Sequence, residues 1–256
     1  MTSAEGFYDA LADDYHLVYR DWEASIPRQA AALDRLIRAH PGAANQHVLD
    51  CTCGIGTQSL GLAALGYDVV GTDVSERSIE RARMEAGKRD LAIRFEVADL
   101  RTLSVAPGDQ FDVVLSADNA LPHLTDESDL RAALSRMVAH LRPGGLFLAS
   151  IRDYDAILQD MPEVTPPVVS GAPGERRITF QLWTWAPDRR SYDFELFVLR
   201  ESGRAWRVDA HRAKYRPITR AELTAELERL PLRLVRWVMP ESSGFFQPIV
   251  TAVRAA

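Results

Sequence analysis

The sequence predicts an α/β chain in which a parallel sheet has helices on both faces and carries a small antiparallel β insertion after its fifth strand. Three observations predict it. Over the first 150 residues short β-rich runs alternate with helical patterns, the rhythm of strands joined by crossover helices. A glycine-containing loop follows the first run directly, where the ligand loops of parallel sheets begin. After residue 151 the rhythm gives way to alternating runs separated by turn signals, as in an antiparallel meander.

The elements follow in order. "FYDALADDYHLVY" repeats apolar residues at Phe7, Leu11, Tyr15, Val18 and Tyr19, a helical stripe. "SIPRQAAALDRLIRAH" reads as a second helix, with Pro27 in its first turn. Five strand runs come next: "HVLD" (47–50), "YDVVGTD" (67–73), "IRFEVAD" (93–99), "FDVVLSA" (111–117) and "GLFLASI" (145–151). Between them lie the helical "TQSLGLAAL", "SERSIERARMEAGKR" opened by Ser75 as N-cap, and "TDESDLRAALSRMVAHL" opened by Thr125 and stopped by "RPGG". "PEVTPPVVSGAPGE" is a Pro- and Gly-rich connector into three meander strands, "RRITFQLWTWAP", "SYDFELFVLRE" and "AWRVDAHRAKYR". A helix, "TRAELTAELERL", and two strands, "LRLVRWVMP" and "FFQPIVTAVRA", end the chain. The expected organisation is a helical lid over 1–45, a ligand-binding core over 46–151, a substrate-cap insertion over 152–216 and a core-completing segment over 217–256.

Composition narrows the function. The chain has 256 residues, 46% of them hydrophobic, enough to bury a real core. Its 30 basic and 36 acidic residues leave a formal net charge of -6 with no gathered basic patch, so no nucleic-acid partner is expected. The acidic "MTSAEGFYDALADDY" lacks the basic and apolar regions of a signal peptide, and no apolar run approaches the ~20 residues of a membrane span. A cytoplasmic protein without membrane contact is expected. Cys51 and Cys53 stand too close for an ordinary disulfide and have no second Cys or His pair at zinc spacing, so no metal is expected.

The loop "VLDCTCGIGTQ" carries the chemistry. A strand ending in Asp50, then Gly54 and Gly56, then a helix, sets backbone N–H groups and a helix N-terminus beside a ligand. A second strand ends in Asp73, placed to accept both hydroxyls of a ribose. The loop lacks the third glycine of a dinucleotide site, and the Asp50 carboxylate would repel a pyrophosphate and welcome an ammonium or sulfonium.

With these motifs the chain resembles the class I S-adenosylmethionine-dependent methyltransferases. "LDCTCGIG" is similar to their first motif, "VGTDVS" to the acidic second-strand motif, "VADL" to the adenine-facing segment and "LRPGG" to the approach to the fifth strand, an ordered set within residues 48–151. The resemblance implies a Rossmann-like seven-stranded sheet and S-adenosyl-L-methionine as cofactor. It implies that Gly54 and Gly56 flank the methionine moiety, Asp73 holds the ribose, and Asp99 with Leu100 contacts the adenine, with Asp50, Cys51, Val74 and Ser116 completing the cofactor set. Thr52 departs from the glycine often found at its position.

A narrower resemblance, to glycine and glycine/sarcosine N-methyltransferases, appears at "SADNALPHL" and "SIRDYDAIL". It implies Asn119 and Arg152 at an amino-acid acceptor. "YHLVYRDW" and a following helix Arg resemble the segment that covers the cofactor, mapping onto Tyr15, Trp22 and Arg28 at altered spacing. Arg152 would grip a carboxylate by a planar fork, Asn119 would accept from the amine through its side-chain oxygen, and His123 would take the proton. Against each stands a plainer reading: an ion pair of Arg152 with Asp153 or Asp155, and His123 packing beside the helix that follows it. Trp183, Trp185, Tyr192 and Phe194 either line the acceptor's mouth or form the meander's packed face. The expected activity is methyl transfer to a small-molecule amine by in-line displacement. Alternatives are an O- or C-methyltransferase of secondary metabolism and a non-catalytic cofactor-binding module. A homo-oligomer stays open.

Overall fold

The computed structural model describes residues 3–40, 47–105 and 110–256. The expected edge between lid and core at residue 45 lies outside the described residues. The strands are β1 (His47–Asp50), β2 (Asp68–Asp73), β3 (Arg94–Val97), β4 (Phe111–Ser116), β5 (Leu141–Ser150), β6 (Val168–Ser170), β7 (Arg177–Trp185), β8 (Tyr192–Ser202), β9 (Ala205–Tyr215), β10 (Leu232–Val238) and β11 (Ile249–Arg254). The helices are α1 (Ala4–Leu11), α2 (Trp22–Arg38), α3 (Thr57–Ala64), α4 (Glu76–Gly87), α5 (Glu127–His140), α6 (Tyr154–Asp160), α7 (Arg220–Leu227) and α8 (Pro240–Ser243).

Seven strands form one sheet in the order β10-β11-β5-β4-β1-β2-β3. β1 to β5 pair in parallel, and β11 runs antiparallel between β5 and β10. Alternate residues feed opposite faces. Leu49, Val70, Val114 and Phe147 pack with Leu130, Leu134 and Met137 of α5, while Val48, Val69, Val113 and Leu148 pack with Leu33 and Ile37 of α2. Each fully buried side chain of this size contributes roughly 1.5–3 kcal/mol. Chain order reverses between β1 and its neighbour β4, so the crevice at their carboxyl ends is where an open α/β sheet binds ligands.

Between β5 and β10, a second sheet forms in the order β6-β7-β8-β9. It is four-stranded, not three: β6 arises inside the Pro- and Gly-rich stretch expected to be a connector, pairing along the edge of β7. Val168 and Val169 favour a strand, and pairing with β7 realises that preference between the flanking proline and glycine residues.

Other local expectations are corrected. The stripe over "FYDALADDYHLVY" is not one helix, because α1 stops at Leu11 and a separate 3-10 turn spans Tyr15–Val18. The Leu17 amide donates to the Asp14 carbonyl there, and the Asp13–Asp14 pair favours a turn over continued helix. α2 begins at Trp22 because Asp21 caps it, its side chain accepting from the Ala24 amide, so Pro27 stands in the second turn and leaves the Glu23 carbonyl without its helical donor. α5 takes Asp126, not Thr125, as its N-cap. "RPGG" lies inside β5 beside a register shift against β4, with Gly144 at φ +78°. The short α6 and α8 were not expected, and "FFQP" precedes β11 instead of joining it.

Candidate active site

Two cavities open at the carboxyl ends of the parallel strands. The first, of about 400 Å³, is bounded by the β1–α3 loop, the end of β2 and the segment after β3. The second, of about 640 Å³, lies between α1, α2, the end of β5 and the antiparallel sheet. Tyr8, Tyr15, Tyr19 and Asp118 line both, so the two spaces meet at this wall.

The first cavity brings together Tyr15, Cys51, Gly54, Asp73, Val74, Asp99, Leu100 and His123 of the sequence-predicted set. Gly54 has φ +52°, and a Cβ there would meet no protein atom within 4 Å, so the backbone itself faces the open cleft. Asp73 is buried at the end of β2, accepting from the Gly54 amide at 2.8 Å and the Ser75 amide at 3.0 Å. Burial raises its carboxyl above the ordinary range, against these donors. Asp99 is gripped by the Arg101 guanidinium, which holds its carboxyl low. A helix N-terminus, a cradled carboxylate and a cleft-facing glycine form a donor and acceptor set suited to an adenosine carrying a charged methionine tail.

Five predicted residues line neither cavity. Asp50 lies wholly buried behind the loop and accepts from Ser59 Oγ at 2.7 Å, with burial pushing its carboxyl up to about 7. It braces α3 against β1 instead of facing a cation. Gly56 is the N-cap of α3 at φ +95°, and a Cβ there would press on Leu60. Ser116 shares a hydrogen bond with Thr52 Oγ1. Trp22 donates from Nε1 to Thr57 Oγ1 at 2.8 Å, anchoring the first residue of α3 while Arg89 sits 5.4 Å over its ring. Asn119 is buried with both side-chain ends used: Nδ2 donates to Tyr154 Oη, and Oδ1 accepts from the Arg152 amide at 3.0 Å. It ties the Arg152 backbone amide to Tyr154. Arg28, expected at the cofactor, lines the second cavity and donates to Ser25 Oγ.

Arg152 projects into the second cavity inside an aromatic frame. Its guanidinium carbon lies 4.9 Å from the Trp183 ring centroid and 5.6 Å from those of Phe194 and Tyr215, and its nitrogens donate to Tyr192 Oη at 3.2 Å and Gln181 Oε1 at 3.4 Å. The expected alternative fails on geometry, since Asp153 and Asp155 pair with Arg220. Among the described residues no carboxylate comes within 4.0 Å of the Arg152 guanidinium. Trp183 and Tyr192 are buried behind the cavity as packed face, while Phe194, Leu196 and Gln181 form its wall.

His123 shares a 2.8 Å hydrogen bond with Tyr8 Oη and lies against the Tyr215 ring at 4.1 Å. Burial, with the Arg152 charge adding to it, pushes its pKa down to about 3, so the ring is neutral. Three residues at the junction were missed by sequence reasoning: Tyr8, Tyr19 and Asp118. Tyr19 donates to Asp118 Oδ2 at 2.5 Å and Tyr15 donates to the same oxygen at 3.2 Å. Asp118 directly precedes Asn119, and its only signal was a carboxylate following β4. Cys51 and Cys53 are free thiols that burial pushes up. No helix among the described residues is long and apolar enough to cross a membrane.

Residues 48–145 match a family model described as a methyltransferase domain. The chain is 35% identical over 139 residues to a glycine/sarcosine N-methyltransferase of Parasynechococcus marenigrum (strain WH8102), covering 54% of this chain and 48% of that protein. It is 33% identical over 172 residues to the glycine N-methyltransferase of Rattus norvegicus, covering 61% and 58%. The match therefore spans about half the length of these curated relatives. A SAM-bound amino pentose methyltransferase from Micromonospora echinaspora, involved in calicheamicin biosynthesis, has the same fold at a TM-score of 0.75 and 22% identity, covering 94% of this chain and 96% of that one. Residues 48–145 thus match a methyltransferase domain, and the seven-stranded sheet that continues beyond them has the fold of that solved methyltransferase.

Proposed function

We propose that the chain is an S-adenosylmethionine-dependent N-methyltransferase acting on an amino acid or amino-acid-like small molecule. The observation that carries the reading is Arg152: a guanidinium with no carboxylate within 4.0 Å among the described residues, held by aromatic rings in a cavity that meets the nucleoside-sized cleft at one wall. Burial opposes its charge, but a guanidinium keeps its proton across the physiological range and here donates to the Tyr192 hydroxyl oxygen. Such a group suits an anionic ligand.

In this reading Gly54, Asp73, Val74, Asp99 and Leu100 hold the cofactor, with the α3 N-terminus and Thr57 beside its tail. When bound, S-adenosylmethionine supplies an electrophilic methyl on a sulfonium. The chain's task is to hold a nucleophile in line about 3 Å from that carbon and to exclude water. Arg152 fixes the acceptor's carboxylate, and Asn119 and Tyr192 fix Arg152. Tyr8, Tyr15 and Tyr19 close the wall around the meeting point. The 152–216 segment then serves as the acceptor's cap.

The test is mass spectrometry with methyl-deuterated S-adenosylmethionine across amino acids, amino sugars and phenols. Deuteromethyl on the nitrogen of a carboxylate-bearing amine supports the reading. Labelled phenols or carbons would replace it with O- or C-methylation, and cofactor affinity without turnover would replace it with a binding module.

A further inference from the structure

We propose that Asp118 is the carboxylate that binds the acceptor's ammonium group and takes its proton before methyl transfer. This rests on the N-methyltransferase reading and names the base that reading leaves unassigned.

Placement comes first. Asp118 lines both cavities at the wall where they meet, so it lies beside any nitrogen that reaches from one ligand to the other. Asp118 and Asn119 hold consecutive left-handed conformations, φ +58° and +65°, which Asp and Asn tolerate better than other non-glycine residues and which the surroundings fix here. Those surroundings are visible. The Asp118 amide donates to Ser150 Oγ at 2.8 Å, Ser150 Oγ donates to Gln247 Oε1, and Asn119 is tied to Arg152 and Tyr154. The effect is to turn the Asp118 carboxylate into the junction.

Its two oxygens are used unequally. Oδ2 accepts from both Tyr15 and Tyr19, while Oδ1 receives no hydrogen bond from the described residues. A carboxylate can accept about four hydrogen bonds, so Oδ1 is available to an N–H donor.

The charged and titratable groups facing Asp118 are Tyr15 from the 3-10 turn, Tyr19 directly after it, Tyr8 from α1 and Arg152 after β5. All three tyrosine hydroxyls are pushed upward, chiefly by burial, and remain neutral donors. Burial raises the Asp118 carboxyl, and the Tyr19 bond and the Arg152 charge pull the other way. In water an alkyl ammonium near 10.4 and an aspartic acid near 3.9 are about 6.5 units apart, so the proton stays on nitrogen. Burial disfavours both charged forms and can move each group by up to 3–5 units toward the other. In this aromatic junction the neutral pair, amine beside carboxylic acid, becomes accessible.

The step balances. An N–H proton passes to Asp118 Oδ1. The freed nitrogen lone pair forms the N–C bond with the methyl carbon while the S–C bonding pair returns to sulfur. The positive charge moves from sulfonium to the methylated nitrogen, and Asp118 returns its proton to solvent as products leave.

The test is Asp118→Asn, whose side chain still accepts from the tyrosines and tolerates the left-handed region as Asn119 does. A circular dichroism spectrum and melting temperature like those of wild type check the fold. Calorimetry then uses sinefungin, the cofactor analogue with an ammonium-bearing carbon in place of the methylsulfonium. Wild type should prefer sinefungin to S-adenosylhomocysteine by at least tenfold at pH 7, and the variant should lose that preference. With glycine as acceptor, log kcat/KM of wild type should be flat from pH 6 to 9. In the variant it should climb with unit slope and lie about 10²–10³-fold lower at pH 7. An undiminished sinefungin preference, or an unaltered pH profile, would overturn the role. Wild type that methylates no amine at all would instead defeat the N-methyltransferase reading, while the sinefungin comparison still decides whether Asp118 reads a cationic nitrogen.

Discussion

Removing the Arg152 guanidinium tests the acceptor assignment most directly. A bidentate carboxylate would receive two charge-assisted hydrogen bonds, each worth about 1.5–3 kcal/mol, so Arg152→Ala should lower kcat/KM for a carboxylate-bearing amine by roughly 10²–10⁴-fold. The same change removes the cation from Trp183, Phe194 and Tyr215 and two donors from Tyr192 and Gln181. It also relieves the cost of a half-buried charge that has no carboxylate within 4.0 Å among the described residues, so the melting temperature should move little. Cofactor affinity should hold within about threefold, because Arg152 does not line the first cavity. Arg152→Lys should fail to restore the rate, since an ammonium cannot reproduce the planar fork. The assay is initial-rate kinetics on a carboxylate-bearing amine and on the same amine lacking the carboxylate. An equal loss on both, or full activity in the Lys variant, would refute the reasoning.

Other consequences follow from the same geometry. Asp73→Ala removes the acceptor of the Gly54 and Ser75 amides as well as the proposed ribose contact, so calorimetry should show at least a roughly tenfold loss of S-adenosylhomocysteine affinity. Unchanged affinity would place Asp73 outside the site. Glu85, 3% exposed, has a carboxyl lowered from 4.5 to about 2: burial opposes its charge, and hydrogen bonds from Lys88, Arg89 and Arg81 outweigh burial. Its folded pKa is depressed, so this stability is present above pH 4.5 and lost as pH falls toward 2. With the exposed Lys88 arm screened, the loss is about 2–3 kcal/mol, and Glu85→Gln should flatten that limb of the denaturation-versus-pH curve. Gly71→Ala would drive a Cβ to 2.6 Å from Phe95 Cδ1 and 3.1 Å from Cys53 Sγ, and calorimetric melting should show a cost of about 1–3 kcal/mol.

The sequence by itself determined the parallel core. Short apolar runs bounded by turn residues and a glycine loop after the first strand are local signals, since both are written in adjacent residues. β1, β2 and β4 therefore lie where the runs predicted, and Gly54 and Asp73 meet in space because the loop and the end of the next strand are neighbours in any such sheet. Element ends were less legible. Asp21 caps α2 where Ser25 seemed to begin it, because a cap is chosen by backbone geometry and several polar residues compete for it.

Only the tertiary structure decided which side chains face the site. Asn119 and Asp118 are adjacent in sequence, yet one is buried against Tyr154 and the Arg152 amide and the other lines both cavities. Trp22 and Asp50 support the loop from behind, and Arg28 points away from the cleft assigned to it, although all three sit in or near recognisable motifs. The tyrosines that hold Asp118 come from about 100 residues earlier in the chain, and the rings around Arg152 from a sheet inserted after it. Spacing along the chain reports one element's face. Contacts between distant elements depend on how those faces pack, and that is set by the shape of the whole core.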